Sequence, residues 1–455
     1  MTPDKPSFIS ELYAEWQSLT TARKWLYFLY SILLIDLILS FFRAVEGRIG
    51  LGFIQPISNA IFIFAAAVGS FPVFRKKVKA KDIFLLLALI IFHHISAVIH
   101  VGTALYAARN AVRFVFYCLP LFLVGLTVDT KTSLKLFVGM SYVALFLQLV
   151  RLYYFGVGIN VVGEAEGMTA AYDLLPFVCF LVWYAFNQGG IWHIFIAVFS
   201  VFLLLSLGAR GPVVCLGFFV ATYLLFLKKY KYRILSRLLI CAAAAAIYIF
   251  SFEISFAFTG VASRLKLSTR VYESIVAEQM ADFEESNGRN DVWRETLKTL
   301  KDNEILFDAN LYADRLYTGH DSYYDNDRTL GRDEIDFFSG GIYQNLEADL
   351  GNGMDSNSRY RHGWYAHNLE LELLCDFGLI GGLIVIIWLL SIIIKAFRLT
   401  WNTNATIMLL VFFTTSIMQL QFSNSYLREP TFWFFLGMCV SCIRENNEST
   451  SINIR

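Results

Sequence analysis

Apolar runs of bilayer-crossing length dominate this chain, and they leave few folds open to it. A helix needs about 20 predominantly apolar residues to cross the hydrocarbon of a membrane. Twelve runs approach or reach that length: roughly 25–42, 52–74, 83–101, 106–127, 133–155, 172–187, 191–208, 212–227, 235–257, 367–394, 404–422 and 430–444. They predict an all-α polytopic membrane protein with about 12 transmembrane helices. The division that follows is a cytoplasmic amphipathic N-terminus (1–24), nine helices (25–257), one large extracytoplasmic loop (258–366), three more helices (367–444) and a cytoplasmic tail (445–455). The first twenty residues are polar and the first apolar run is long enough to span, so no cleavable signal peptide is expected.

Composition closes the other classes. Hydrophobic residues make up 56% of the chain and charged residues 16%, against about 25% charged in a soluble protein. A nucleic-acid binder, a secreted disulfide scaffold and a disordered chain are excluded. All seven cysteines lie in apolar stretches, and none has disulfide-framework or metal-ligand spacing. Cys439 and Cys442 form a C-x-x-C inside an expected span, where packing is the simpler role.

Lys and Arg set the orientation. They cluster at Arg23-Lys24, at Arg75–Lys81, at Lys228–Arg233 and at Lys395–Arg398. With the N-terminus inside, all four patches fall on the cytoplasmic side of one alternating topology, and the C-terminus does too. The loop 258–366 then lies outside with a net charge of −8, against +9 for the remainder. The near-zero total of +1 is a cancellation between compartments. Residues 8–16 carry apolar side chains at helical spacing and read as a helix on the inner membrane surface.

The loop is expected to be partly helical. Val271, Ile275 and Val276 suggest one helix, and Val292, Trp293, Leu297 and Leu300 another, capped by Asn290 or Asp291. Its acidic stretch Asp321–Asp327 lacks the Gly and Glu spacing of a calcium loop, so it reads as a solvated surface and no metal is assigned.

Charges inside the membrane are costly and call for a reason. Arg109, Arg113, Arg151, Arg210 and Arg428 all fall near the outer face, against the positive-inside trend. Snorkelling to headgroups accounts for any one of them. Five together point to an outward-facing anion site, matched by guanidinium geometry to phosphate or pyrophosphate. The runs starting near 212, 367 and 430 all begin at the outer face, so each turns its positive dipole end there. Pro212 and Pro430 stand where a first-turn proline is favoured, just after Arg210 and Arg428. His367 opens the third run and is the candidate base, with His362 second. His93, His94, His100, His193 and His320 carry no such context, and Asp36 and Glu253 are read as partners for arginines.

Three segments carry a family likeness: Gly208-Ala209-Arg210-Gly211, Gly288-Arg289-Asn290-Asp291-Val292-Trp293, and His367-Asn368 followed by Gly378 and Gly381. In order and placement they resemble the O-antigen ligase and O-antigen polymerase superfamily of bacterial membrane glycosyltransferases, with Ala209 where that family has Ser. The resemblance implies a GT-C-like, metal-independent transferase of the bacterial inner membrane that needs no cofactor. It implies an undecaprenyl-diphosphate-linked oligosaccharide as donor. Arg210 and a loop arginine, Arg270 or Arg289, would neutralise the leaving diphosphate, with Arg113, Arg151 and Arg428 as further anion-binding candidates. His367 would deprotonate or orient the acceptor hydroxyl. The leading expectation is a polymerase of O-antigen, capsule or exopolysaccharide repeat units, working with a chain-length regulator. An O-antigen ligase acting on lipid A–core of lipopolysaccharide is the alternative. A lipid-linked oligosaccharide transporter comes third, because no two-halves repeat is visible.

Overall fold

A computed structural model describes residues 8–30, 54–99, 114–129, 133–155, 165–188, 190–207, 210–227, 368–421, 425–427 and 429–452, with single positions between 240 and 250 and between 293 and 307. Nearly all of these are helical, and no strand occurs among them. Apolar, unbroken runs of good helix formers leave that outcome little competition.

The helices are α1 (Phe8–Ser18), α2 (Thr21–Tyr30), α3 (Ile54–Lys77), α4 (Ala80–Ile99), α5 (Leu119–Thr127, entered through a π-turn at Phe114–Cys118) and α6 (Ser133–Phe155). They continue as α7 (Ala165–Gln188), α8 (Ile191–Ser206), α9 (Arg210–Thr222, closed by a π-turn at Tyr223–Leu227), α10 (Leu369–Thr400), α11 (Asn404–Ser416) and α12 (Pro430–Ile452). Among the described residues, three stretches are long and apolar enough to cross a membrane: Ser133–Val150, Leu369–Thr400 and Asn404–Gln421. The expected runs at 25–42, 106–127 and 235–257 lie partly outside the described residues, as does most of the loop. The tail expected from residue 445 is a continuation of α12 as far as Ile452.

Aromatic side chains hold the middle together. Phe137 of α6 stacks on Tyr30 of α2 at 5.8 Å and on Phe180 of α7 at 5.5 Å. Phe412 of α11 meets Phe137 at 5.6 Å and Phe434 of α12 at 4.8 Å. Five helices thus share one cluster of rings, each edge or face contact contributing about 0.5–1.5 kcal/mol beyond burial. Beside it, α5 and α12 touch backbone to backbone. A Cβ on Gly125 would collide with the Phe434 carbonyl, and one on Gly437 with the Phe122 carbonyl. Small residues are what allow helices in lipid to approach this closely.

The two ends of the bundle differ in chemistry. At one end, Arg23 pairs with Asp129 at 3.4 Å, Lys135 with Glu11 at 3.2 Å, Lys77 with Glu445, and Asp82 with Arg444. These pairs join α1 to α6, α2 to the turn after α5, and the α3–α4 hairpin to α12. All eight residues belong to segments that a single alternating topology puts on one side. Burial acts to raise the Asp82 carboxyl, but hydrogen bonds from Arg444 and the Lys79 N–H outweigh it and hold it below the usual carboxylate range. Cys439 and Cys442 are buried in α12 as free thiols.

One element departs from the span expected at 367–394. Helix α10 is broken at Gly378, whose φ of 78° and ψ of 169° are not helical. The piece 369–377 carries Glu370, Glu372 and Asp376, while 379–400 is almost wholly apolar. The second piece alone has 22 residues, about 33 Å at 1.5 Å per residue, enough to cross a bilayer. Its Leu383, Ile384, Ile387 and Ile394 are half or more exposed, a stripe suited to lipid.

What closes the break is a short segment of the polar loop, residues 304–307, which acts as a strap. The helical turn around Leu300–Lys301 ends with Glu304 at φ 51°. Ile305 N–H bonds back to the Leu300 carbonyl at 3.0 Å and Glu304 N–H to that of Lys301 at 3.0 Å. This is the left-handed C-terminal cap of Schellman type, normally given to glycine. The chain then reverses, and its carbonyls take the free donors of the new helix start. Leu379 N–H donates to Ile305 at 2.9 Å and Ile380 N–H to Leu306 at 2.8 Å. Without such acceptors, the first N–H groups of a helix at membrane depth would go unsatisfied.

Candidate functional site

The end of the bundle opposite the ion pairs holds a lattice of buried polar groups. It is built from the start of α10, the 3-10 turn Gln419–Gln421 after α11, and the start of α12. Asn368 caps α10, its Oδ1 accepting from Leu371 N–H at 3.0 Å. Its Nδ2 donates to Gln421 Oε1 at 3.2 Å, and Gln421 Nε2 donates in turn to Glu370 Oε1 at 3.1 Å. Glu372 and Asp376 stand one helical turn apart on the inward face, 3% and 0% exposed. Ser425 Oγ donates to one Glu372 oxygen, and Tyr426 N–H to the other at 3.3 Å. The Tyr426 hydroxyl donates to Asp376 Oδ2 at 2.7 Å. Trp433 Nε1 fixes the same turn by donating to the Tyr426 carbonyl at 2.7 Å.

Glu429 does for α12 what Asn368 does for α10. Its Oε1 accepts from Thr431 N–H at 3.3 Å and from Thr431 Oγ1 at 2.5 Å, and Gln419 Nε2 donates to its Oε2 at 3.1 Å. Pro430, at the first helical position, has no N–H to satisfy. A narrow cleft opens here, lined on its polar side by Tyr172, Asp173, Thr415, Gln419, Glu429 and Thr431. Phe177, Phe412, Leu121 and the two prolines Pro176 and Pro430 make its apolar wall. The start of α9 reaches the same place. A Cβ on Gly211 would fall on the Tyr172 hydroxyl, and α9 contacts the turn Gln419–Gln421.

The helix starts at Arg210, Leu369 and Pro430 therefore gather around the turn Gln419–Gln421. The arrangement differs in one respect from an open cradle. Two of the three positive helix ends already receive an oxygen from their own caps, Asn368 and Glu429.

Most of the site residues expected from the sequence lie outside the described residues: Arg113, Arg270, Arg289, His367 and Arg428, and with them Arg109, Asp36 and Glu253. Arg210 is the first residue of α9 and Arg151 lies in the last turns of α6. Phe114, next to Arg113, packs on Trp433 at 5.1 Å. Leu427 and Glu429, either side of Arg428, are both buried in the lattice. Cys118 Sγ donates to the Leu427 carbonyl at 3.4 Å. Among the described residues no cluster of His, Cys, Asp and Glu has the arrangement of a metal site.

The buried carboxylates Glu372, Asp376 and Glu429 and the amides Gln419 and Gln421 are the residues sequence reasoning passed over. Their signal was available. A carboxylate inside or beside an apolar run carries the same desolvation cost as an arginine there. Gly378 and Gly381 acquire a structural cause: the break in α10 needs the first, and the strap residue Phe307 packs beside the second. Comparison of the chain with protein-family models, curated proteins and solved structures gave no match.

Proposed function

We propose that the protein is a membrane glycosyltransferase that polymerises lipid-linked oligosaccharide repeat units on the outer side of a bacterial plasma membrane. The observation that supports this reading is the gathering of the helix starts at Arg210, Leu369 and Pro430 around the turn Gln419–Gln421, beside a narrow polar cleft that Pro430 lines. Arg210 opens the first of these helices, and His367 and Arg428 stand one residue before Asn368 and Glu429 in the sequence. The cleft holds only about 40 Å³, too little for a sugar ring, but the acidic and amide groups at its mouth can accept from sugar hydroxyls.

In this reading Arg210, aided by Arg270 or Arg289, binds the diphosphate of the donor. His367 accepts the proton of an acceptor hydroxyl as its oxygen bonds to the anomeric carbon. The bond from that carbon to the phosphate oxygen breaks in line, and the undecaprenyl diphosphate leaves with inversion. Charge on the leaving group is neutralised by guanidinium groups rather than by a metal ion. Glu372, Asp376 and Glu429 act at a distance from the reaction, holding the turn 425–429 through the bonds described above.

The deciding experiment is reconstitution with one lipid-linked repeat unit as both donor and acceptor. Chains of increasing length are expected. Transfer only onto lipid A–core would replace the polymerase with the ligase. Long polymer in cells carrying Arg210→Ala and His367→Ala at normal membrane levels would remove the proposed site altogether.

A further inference from the structure

The strap that closes the break in α10 has a second property. Three exposed side chains of the strap and the turn before it are large and apolar although they belong to the most polar segment of the chain. Phe307 is 67% exposed, Leu306 48% and Leu297 42%. Phe307 packs beside Gly381, next to Ile380, Leu383 and Ile384 on the exposed apolar stripe of 379–400. The exposed rings and methyls of the strap thus continue a face that already belongs to lipid. Beside them stand exposed Lys298 and Lys301, with exposed Asp302 and Glu304.

Depth can be set from the other end of the helix. Arg398 is in the last turn of α10 and marks one membrane boundary. Twenty residues at 1.5 Å take the axis back to Gly378, about 30 Å, one hydrocarbon thickness. The break and its strap therefore lie at the opposite boundary, where apolar side chains meet acyl chains and lysines meet headgroups.

We propose that Leu297, Leu306 and Phe307 are immersed in the lipid at that boundary, with Lys298 and Lys301 at headgroup level. The polar loop is then a membrane-resting element, clipped to the transmembrane helix by three backbone hydrogen bonds from Leu379, Ile380 and Gly381. The occupant of the apolar surface is lipid acyl chain, because the surface is continuous with the lipid-facing stripe of the same helix. This inference does not depend on the polymerase reading.

The test uses the full chain in lipid nanodiscs, with a single environment-sensitive fluorophore on Leu297→Cys, Leu306→Cys or Phe307→Cys and, as water-facing controls, Lys298→Cys and Lys301→Cys. Six of the seven native cysteines are buried, and the seventh, Cys241, is replaced by serine in every labelled variant. Lipids carrying a nitroxide near the carbonyl are expected to quench the first three labels, and aqueous iodide the two controls. Quenching of the 306 and 307 labels by iodide would overturn the proposal. Protection of both from either quencher would also overturn it, since protein, a second copy or another part of the chain, would then cover the strap. Labelling three sites guards against one variant that fails to fold.

Discussion

Replacing Gly378 by alanine tests the break in α10 directly. At φ 78° and ψ 169° the residue occupies a region essentially reserved for glycine, where another residue carries about 1–3 kcal/mol of strain. The added Cβ would also stand 2.6 Å from the Phe307 nitrogen and 2.7 Å from the Leu306 oxygen. The chain has two ways to respond. It can keep the strap and bear the strain plus an overlap of about 1–3 kcal/mol. It can instead lift the strap and leave the Leu379 and Ile380 donors unpaired, at about 1–3 kcal/mol each. The less costly route sets the outcome, so the loss is at least about 2 kcal/mol. Gly381→Ala is the matched control. Its Cβ would meet Phe377 Cβ at 3.3 Å and Phe307 Cδ1 at 3.6 Å, near ordinary contact, in a helical position. Alanine there is expected to fall within about 1 kcal/mol of the parent, helix propensity offsetting the tightness. The assay is thermal unfolding in nanodiscs, paired with limited proteolysis across 300–307. Gly378→Ala should melt lower and be cut faster, and Gly381→Ala should do neither. Equal melting of the two variants and the parent would refute the strap as the cause of the break.

Other perturbations have equally definite outcomes. Tyr426→Phe removes the donor to buried Asp376 and should lower stability by about 1–3 kcal/mol, read as a drop in Tm; an unchanged Tm would mean that this bond does not hold the lattice. Gly437→Ala forces α12 off α5 and should cost about 1–3 kcal/mol, whereas Gly139→Ala, whose Cβ meets only the end of the Leu12 side chain, should be mild. The Asp82–Arg444 pair gives a pH dependence. The folded carboxyl lies below its ordinary value of 3.8, so its contribution is complete above that pH and is lost as pH falls through the lower folded value. Asp82→Asn should therefore be less stable than the parent at neutral pH and draw level with it in acid. A gap that does not narrow as pH falls through and below the ordinary carboxylate range would refute the assignment.

The order and composition of the apolar runs determined that the chain is helical and membrane-suited, because hydropathy and helix propensity act within a segment and need no partner. The positions of α1, α6 and α11 follow from that local logic. So does the cap at Asn368, a residue type that satisfies orphan donors wherever a helix begins. Tertiary structure alone decided which ends meet. The convergence of Arg210, Leu369 and Pro430 depends on α7 bringing Tyr172 beside Gly211, a contact between residues far apart in the chain. The pairing of Glu372 and Asp376 with Ser425 and Tyr426 is equally non-local. The run 367–394 shows the limit most clearly. Its three carboxylates all precede Gly378 and an almost wholly apolar stretch follows, but that contrast alone does not announce a break in a helix. The break exists because carbonyls from residues 305 and 306 arrive to satisfy the donors it exposes, and that supply comes from a different part of the chain.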